Sequence, residues 1–263
     1  GAFDVGGFVV APLVAVAVTA VGGFRSWFWV SAIFLLLLLP AAFRAQPDTA
    51  AQDTEGLGMK GLLRVRRLIG ALCIGSAYFV LIGAFESVWV LELDSRGASQ
   101  ALIGIALTIA AVPIPIFSPI GGILAQRYGA RRWSVGTLGT MTVIVGFYGV
   151  VPGVWALIIL TAATSVVEGF GFPSTPMLAS AAVPEERQAA AQGLMTAVEV
   201  ATGAVASLAF AAVYSATSDT TVWISTSAVM AVLLVFGAVL ARPEDHKPVR
   251  PGVPFGTIRR LFR

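Results

Sequence analysis

The chain has 263 residues, of which 57% are hydrophobic and 12% charged, against roughly a quarter charged in an ordinary soluble domain. Together with a mean hydropathy of +0.87, this argues against a soluble enzyme, a nucleic-acid-binding domain and a disordered regulator. One cysteine, Cys73, and one histidine, His246 in the polar C-terminal stretch, leave no disulfide within the chain, no cysteine or multi-histidine metal centre and no histidine triad.

A helix needs about 20 apolar residues to cross the hydrocarbon core of a bilayer. Eight segments answer to that, at 2–21, 25–43, 66–91, 100–125, 133–151, 153–182, 187–215 and 220–241. Backbone groups cannot go unpaired in lipid, so each is expected to be helical. The run Ile33 to Leu39 shows none of the alternation of a barrel strand. The fold class predicted is all-α, a polytopic membrane protein with eight transmembrane helices. Residues 1–43 hold two spans. Residues 44–65, with Gln46, Pro47, Asp48, Asp53 and Glu55, form a polar linker, and Met59 to Arg67 suit a short amphipathic helix. Residues 66–241 hold six spans joined by short loops. The 242–263 tail carries Pro243, Pro248, Pro251 and Pro254, which prevent a long helix. It reads as a disordered basic tail or as an anchor on anionic lipid.

Basic residues set orientation. Arg44, Lys60, Arg64, Arg66, Arg67, Arg127, Arg131, Arg132, Arg187 and six further residues in the tail fall on one side, 15 of the 17; only Arg25 and Arg96 fall on the other. The basic side is expected to be cytoplasmic, which puts both ends of the given chain there, in a cell membrane. The charge needs no nucleic-acid partner to explain it. The sequence opens at Gly1 directly on a span, and the expectation is a chain that has lost its N-terminal part.

Residues 121–132 read Gly-Gly-Ile-Leu-Ala-Gln-Arg-Tyr-Gly-Ala-Arg-Arg. With Gly121, Gly122, Arg127, Gly129, Arg131 and Arg132, this stretch resembles the cytoplasmic loop motif of the major facilitator superfamily (MFS) in its copy between helices eight and nine. Gln126 stands where the family pattern has an acid, which puts the ion-pair latch attributed to that acid in doubt. Residues 7–16, with Gly7, Ala11 and Pro12, resemble a worn copy of the helix-five pattern of antiporters in the same family. Gly22 to Phe28 resemble the turn before helix six, and Val183 to Arg187 with Gln192-Gly193-Leu194 the loop between helices ten and eleven. The resemblance implies a partial MFS fold, two helices of the N-terminal half plus a complete C-terminal six-helix bundle, with four helices missing before Gly1. It points to the drug-efflux-like branch.

Ionisable groups inside a membrane are costly and usually face a cavity. Glu168 shares one helical face with Thr161, Thr164, Ser165, Gly171 and Thr175. Such a polar stripe suits a water-filled pathway in which the acid takes up and releases protons; a neutral acid that fixes helix packing is the alternative. Glu199 lies among Met195, Thr196, Thr202, Gly203 and Ala206, a small, mildly polar face that suits transport or helix packing equally. Glu86 follows Tyr78, Phe79 and Gly83, with Trp89 next on its face. An acid among aromatic rings suits an organic cation, or else an interfacial acid beside a belt tryptophan. Pro113, Pro115 and Pro119 crowd one span, as a moving hinge or a static kink.

The function that these features imply is a secondary transporter, a proton-coupled exporter of small amphipathic compounds working by alternating access. An importer of a sugar, organic acid or other metabolite stands as one alternative, and a truncated, inactive or partner-dependent half-transporter as another. No enzyme is expected: no acid pair has metal-site spacing, and no phosphate-binding loop is present. The expected partners are small-molecule substrate, protons and membrane lipid, with no cofactor, metal or nucleic acid.

Overall fold

The computed structural model describes Val18 and residues 22–44 and 59–242. The first expected span, with Gly7, Ala11 and Pro12, most of the 44–65 linker and the tail beyond Arg242 lie outside the described residues. Among the described residues there are helices and turns and no strand, as the all-α reading requires. In chain order the helices are α1 (Phe24–Arg44), α2 (Met59–Leu62), α3 (Arg66–Ser95), α4 (Gln100–Tyr128), α5 (Ala130–Gly146), α6 (Gly153–Ala181), α7 (Glu185–Ala216) and α8 (Asp219–Leu240).

Five of these, α3, α4, α6, α7 and α8, are long and apolar enough to cross a membrane. Helix α5 has 17 residues and stops at Gly146, short of the 151 expected from composition. Beyond it the backbone tightens into three-residue turns, with Phe147 donating to Ile144, Tyr148 to Val145 and Val150 to Phe147, and Pro152, which cannot continue a helix, closes the turn.

Three of the long helices are interrupted. In α3, Phe85–Trp89 form a π-helical turn, a local widening that shifts the phase of the helix beyond it. In α4, the first segment ends at Ala111 and a second begins at Pro113; in α6 the break falls between Gly171 and Ser174, at Pro173. Each proline removes the backbone donor that a continuous helix would use. The turns are closed by glycines in left-handed conformation: Gly97 (φ 85°), Gly129 (φ 89°) and Gly153 (φ 76°), a region costly to any side chain. Ser99 and Ser218 cap α4 and α8 by accepting from the amides of Leu102 and Thr221, each at 3.3 Å.

Helix α3 is the centre of the bundle. Of its most apolar stretch 72% is buried, against 11–33% in the other four long spans. It packs along α7 and α8; α5 joins α8 to α6, and α4 lies on α6. In lipid there is little hydrophobic drive between helices, and close packing at small residues replaces it. At Gly83 of α3 a Cβ would lie 2.8 Å from both the Ala206 Cβ and the Ser207 nitrogen of α7. At Gly121 of α4 it would lie 2.7 Å from the backbone of Phe170 in α6. The outward faces carry Ile105, Ile116, Val205, Leu208, Val232 and Phe236, all exposed, as lipid-facing positions of a membrane protein are.

The two ends of the bundle are tied differently. At one end Arg131 donates two hydrogen bonds, at 2.6 and 3.1 Å, to the Ala238 carbonyl in the last turn of α8, a cation set on a helix C-terminus. At the other end Arg96 pairs with Glu92 and donates to the carbonyls of Val151 (2.8 Å), Gly153 (3.2 Å) and Tyr148 (3.2 Å). Asp219 lies 3.5 Å from it. Glu92 is fully buried, and its second oxygen accepts from the Trp223 indole of α8. One arginine thereby ties the last turn of α3, the α5–α6 turn and the start of α8 together.

Candidate functional site

The polar face of α6 is turned into the bundle, where Thr161, Thr164 and Glu168 find partners on other elements. Thr161 is buried and accepts from the Trp89 indole at 3.0 Å. Thr164, also buried, accepts from the Tyr148 hydroxyl at 2.8 Å. Thr161, Thr164 and Ser165 each return their own hydroxyl proton to the carbonyl four residues back, at 2.9–3.0 Å, the usual way a hydroxyl is satisfied inside a helix. Thr175 bonds back to Phe172 at 3.1 Å.

Glu168 sits half-buried at the same face. Its Oε1 accepts a hydrogen bond from the Tyr78 hydroxyl of α3. The Tyr78 ring is buried and set against Phe172, one turn further along α6, with centroids 5.9 Å apart. A phenol can donate either to a carboxylate or to the carbonyl oxygen of the protonated acid, so this partner serves Glu168 in both charge states.

Glu199 projects from α7 toward α3 at Gly75, where any Cβ would collide with its carboxyl oxygen. Nearby, Thr202 donates to Ser76 at 3.2 Å. Among the described residues neither Glu168 nor Glu199 forms an ion pair, whereas Glu92 is paired with Arg96. Glu168, Tyr78, Gly75 and Glu199 form one group spread over three helices.

Glu86 stands apart. It is exposed on the π-turn of α3, whereas Trp89, three residues on, is fully buried and stacked on Phe85 with centroids 4.7 Å apart. Phe79 lies half-buried beside Gly203 of α7, where a Cβ would sit 3.4 Å from its ring, and meets Tyr78 edge-on. Phe79, Trp89 and Glu86 are therefore not brought to one place.

In the loop motif, Gly121 meets Phe170, while Gly122 has only ordinary contact with Pro173 at 3.8 Å. Gly129 takes the left-handed turn, Arg127 lies over the Tyr128 ring at 5.5 Å, Arg131 caps α8 and Arg132 is exposed. Gln126 is exposed as well. The motif region is further tied to α6 by the Trp133 indole, which donates to Phe170 at 2.8 Å.

Sequence reasoning missed Tyr78 as the partner of Glu168, and Glu92, Tyr148 and Trp223 altogether. Only Glu92 left a local trace, the i, i+4 spacing to Arg96. Among the described residues no three His, Cys, Asp or Glu side chains cluster as a metal site would need.

The sequence profile of the Major Facilitator Superfamily matches residues 67–263. The chain belongs to the Major Facilitator Superfamily. It is thus a multi-pass membrane protein of a family of transporters rather than enzymes. It is 31% identical over 122 residues to the multi-drug resistance efflux pump PmrA of Streptococcus pneumoniae, covering 46% of this chain and 30% of that protein. It is 30% identical over 155 residues to the multidrug resistance protein MdtG of Dickeya zeae, covering 58% and 36%. To MdtG of Klebsiella pneumoniae it is 25% identical over 183 residues, covering 69% and 44%. The chain thus spans less than half the length of these curated relatives. No solved structure matches it significantly. Glu168, Tyr78 and Glu199 of this MFS chain all fall inside the matched residues.

Proposed function

We propose that this chain is part of a proton-coupled exporter of small amphipathic compounds, in which Glu168 is the group that takes up and releases the proton. The observation that carries the reading is an acid at mid-span of α6, held by a neutral hydroxyl instead of a basic side chain, in a chain whose relatives are named multidrug efflux proteins. A carboxyl in such a place has no fixed counter-charge to lock it in one state. Export is favoured over import of a metabolite by those names. Glu199 serves as a second acid on the same pathway, with Thr164 and Ser165 shaping its wall. Glu86, exposed on the π-turn of α3, is assigned to the approach of a cationic substrate, without the aromatic partners Phe79 and Trp89.

In this reading 1–43 belong to the N-terminal transporter half, 44–65 is a cytoplasmic linker, 66–241 is the C-terminal six-helix half and 242–263 is a cytoplasmic basic tail. The Arg131 end of the bundle faces the cytoplasm, and the membrane is the plasma or inner membrane. The two halves rock about the central acids so that the site opens to one side at a time.

The test uses the full-length protein in everted vesicles that hold a proton gradient. Addition of lipophilic cations or neutral drugs releases protons from vesicles with the wild-type protein, and Glu168→Gln abolishes that release while inserting normally. A Glu168→Gln protein that exchanges drug for protons like the wild type refutes the assignment.

A further inference from the structure

Helix α3 stands between two acids, and two of its residues on one face receive them. Tyr78 donates to Glu168 of α6. Gly75, one turn earlier on the same face, lies against the Glu199 carboxyl of α7, and only the absence of a side chain leaves room for it; a Cβ there would also lie 2.9 Å from the Met195 methyl. Phe172 and Phe79 flank the Tyr78 ring at 5.9 Å each. The titratable groups that face Glu168 are Tyr78 from α3 and, by way of Thr164, Tyr148 from the α5–α6 turn; Glu199 of α7 meets the same face of α3 at Gly75.

We propose that Tyr78 is a positioning residue for proton coupling, fixing the Glu168 carboxyl against α3 so that movement of this helix reaches the acid. This rests on the reading of Glu168 as the coupling site. The physical reason is that the phenol ties the carboxyl of α6 to α3, while the same face of α3 receives Glu199 of α7 at Gly75. Movement of α3 relative to α6 or α7 breaks one contact and keeps the other. The α3 face Gly75–Tyr78 is thus the link between helix movement and charge.

The experiment compares wild type, Tyr78→Phe and Glu168→Gln of the full-length protein in proteoliposomes. Two readouts are taken: the pH profile of drug-induced proton release, and the infrared carboxyl band that disappears in Glu168→Gln. Loss of one hydrogen bond to a charged group changes a proton equilibrium by about tenfold or more. Tyr78→Phe therefore moves the profile by about one pH unit, toward higher pH because the phenol binds the carboxylate more strongly than the neutral acid, and shifts the Glu168 band in frequency.

If Glu168→Gln is inactive while Tyr78→Phe matches the wild type in profile and band, this proposal alone is overturned. If Glu168→Gln exchanges normally, the coupling reading falls and this proposal with it. Should Tyr78→Phe not accumulate in the membrane, fluorotyrosine incorporation replaces it. A more acidic phenol of nearly the same size moves the Glu168 band if the hydroxyl binds it, and a stationary band overturns the proposal.

Discussion

Arg96→Met is the sharpest test of how the bundle is held together. The Arg96 side chain is 13% exposed and that of Glu92 is fully buried. Removing the guanidinium leaves Glu92 with the Trp223 indole as its remaining donor and frees the carbonyls of Val151, Gly153 and Tyr148. Breaking a buried ion pair from one side costs about 3–5 kcal/mol, mostly because the other charge stays buried. For a chain of this size each kcal/mol is worth roughly 2–4 °C of melting temperature, so Arg96→Met is expected to melt roughly 6–20 °C lower. The assay is thermal unfolding of the detergent-purified protein, followed by loss of the monodisperse species on size exclusion. The double variant Arg96→Met with Glu92→Leu is expected to recover much of the loss, because the stranded charge has gone as well. A single variant within a degree or two of the wild type, or a double variant as unstable as the sum of the two single ones, would refute the reasoning.

Two further expectations follow from packing and orientation. Gly121→Val forces side-chain atoms onto the Phe170 backbone and lowers stability by about 1–3 kcal/mol, the usual range for overpacking; unchanged melting would show that α4 and α6 can part freely. In a Cys73→Ser background, Gln100→Cys is expected to react with a membrane-impermeant maleimide in intact cells, and Gln126→Cys only after permeabilisation. The reverse pattern would invert the orientation inferred from the basic residues.

Most of the helix positions were legible because a membrane span is a composition signal that needs no partner: 100–125 against Gln100–Tyr128 and 220–241 against Asp219–Leu240 agree closely. The end of α3 was not. Its expected boundary at 91 fell one residue before Glu92, because a charged run normally marks the water boundary. The helix continues to Ser95 because Arg96 and Trp223 take up that charge, and Trp223 lies 131 residues away in sequence. The faces of α3 were misread for a second reason. A regular wheel puts Phe79, Glu86 and Trp89 on one side, but the π-turn at Phe85–Trp89 changes the phase, leaving Glu86 out and Trp89 in. On α6, by contrast, the regular segment Gly153–Gly171 preserves the phase, and the stripe from Thr161 to Glu168 was visible from spacing. Its partners Tyr78, Trp89 and Tyr148 were not, since nothing local marks a contact between residues 90 apart such as Tyr78 and Glu168.

The knot around Arg96 also orders events in time. Glu92 emerges from the ribosome well before Trp223, 131 residues later, which at about 5–20 residues per second is roughly 7–26 s of synthesis. Through that interval α3 carries its acid with Arg96 as the near partner, four residues away, and the α5–α6 turn joins only once Val151 and Gly153 have been made. The seal of this end of the bundle therefore closes last, when α8 is delivered, and until then the central helix can still adjust against its neighbours.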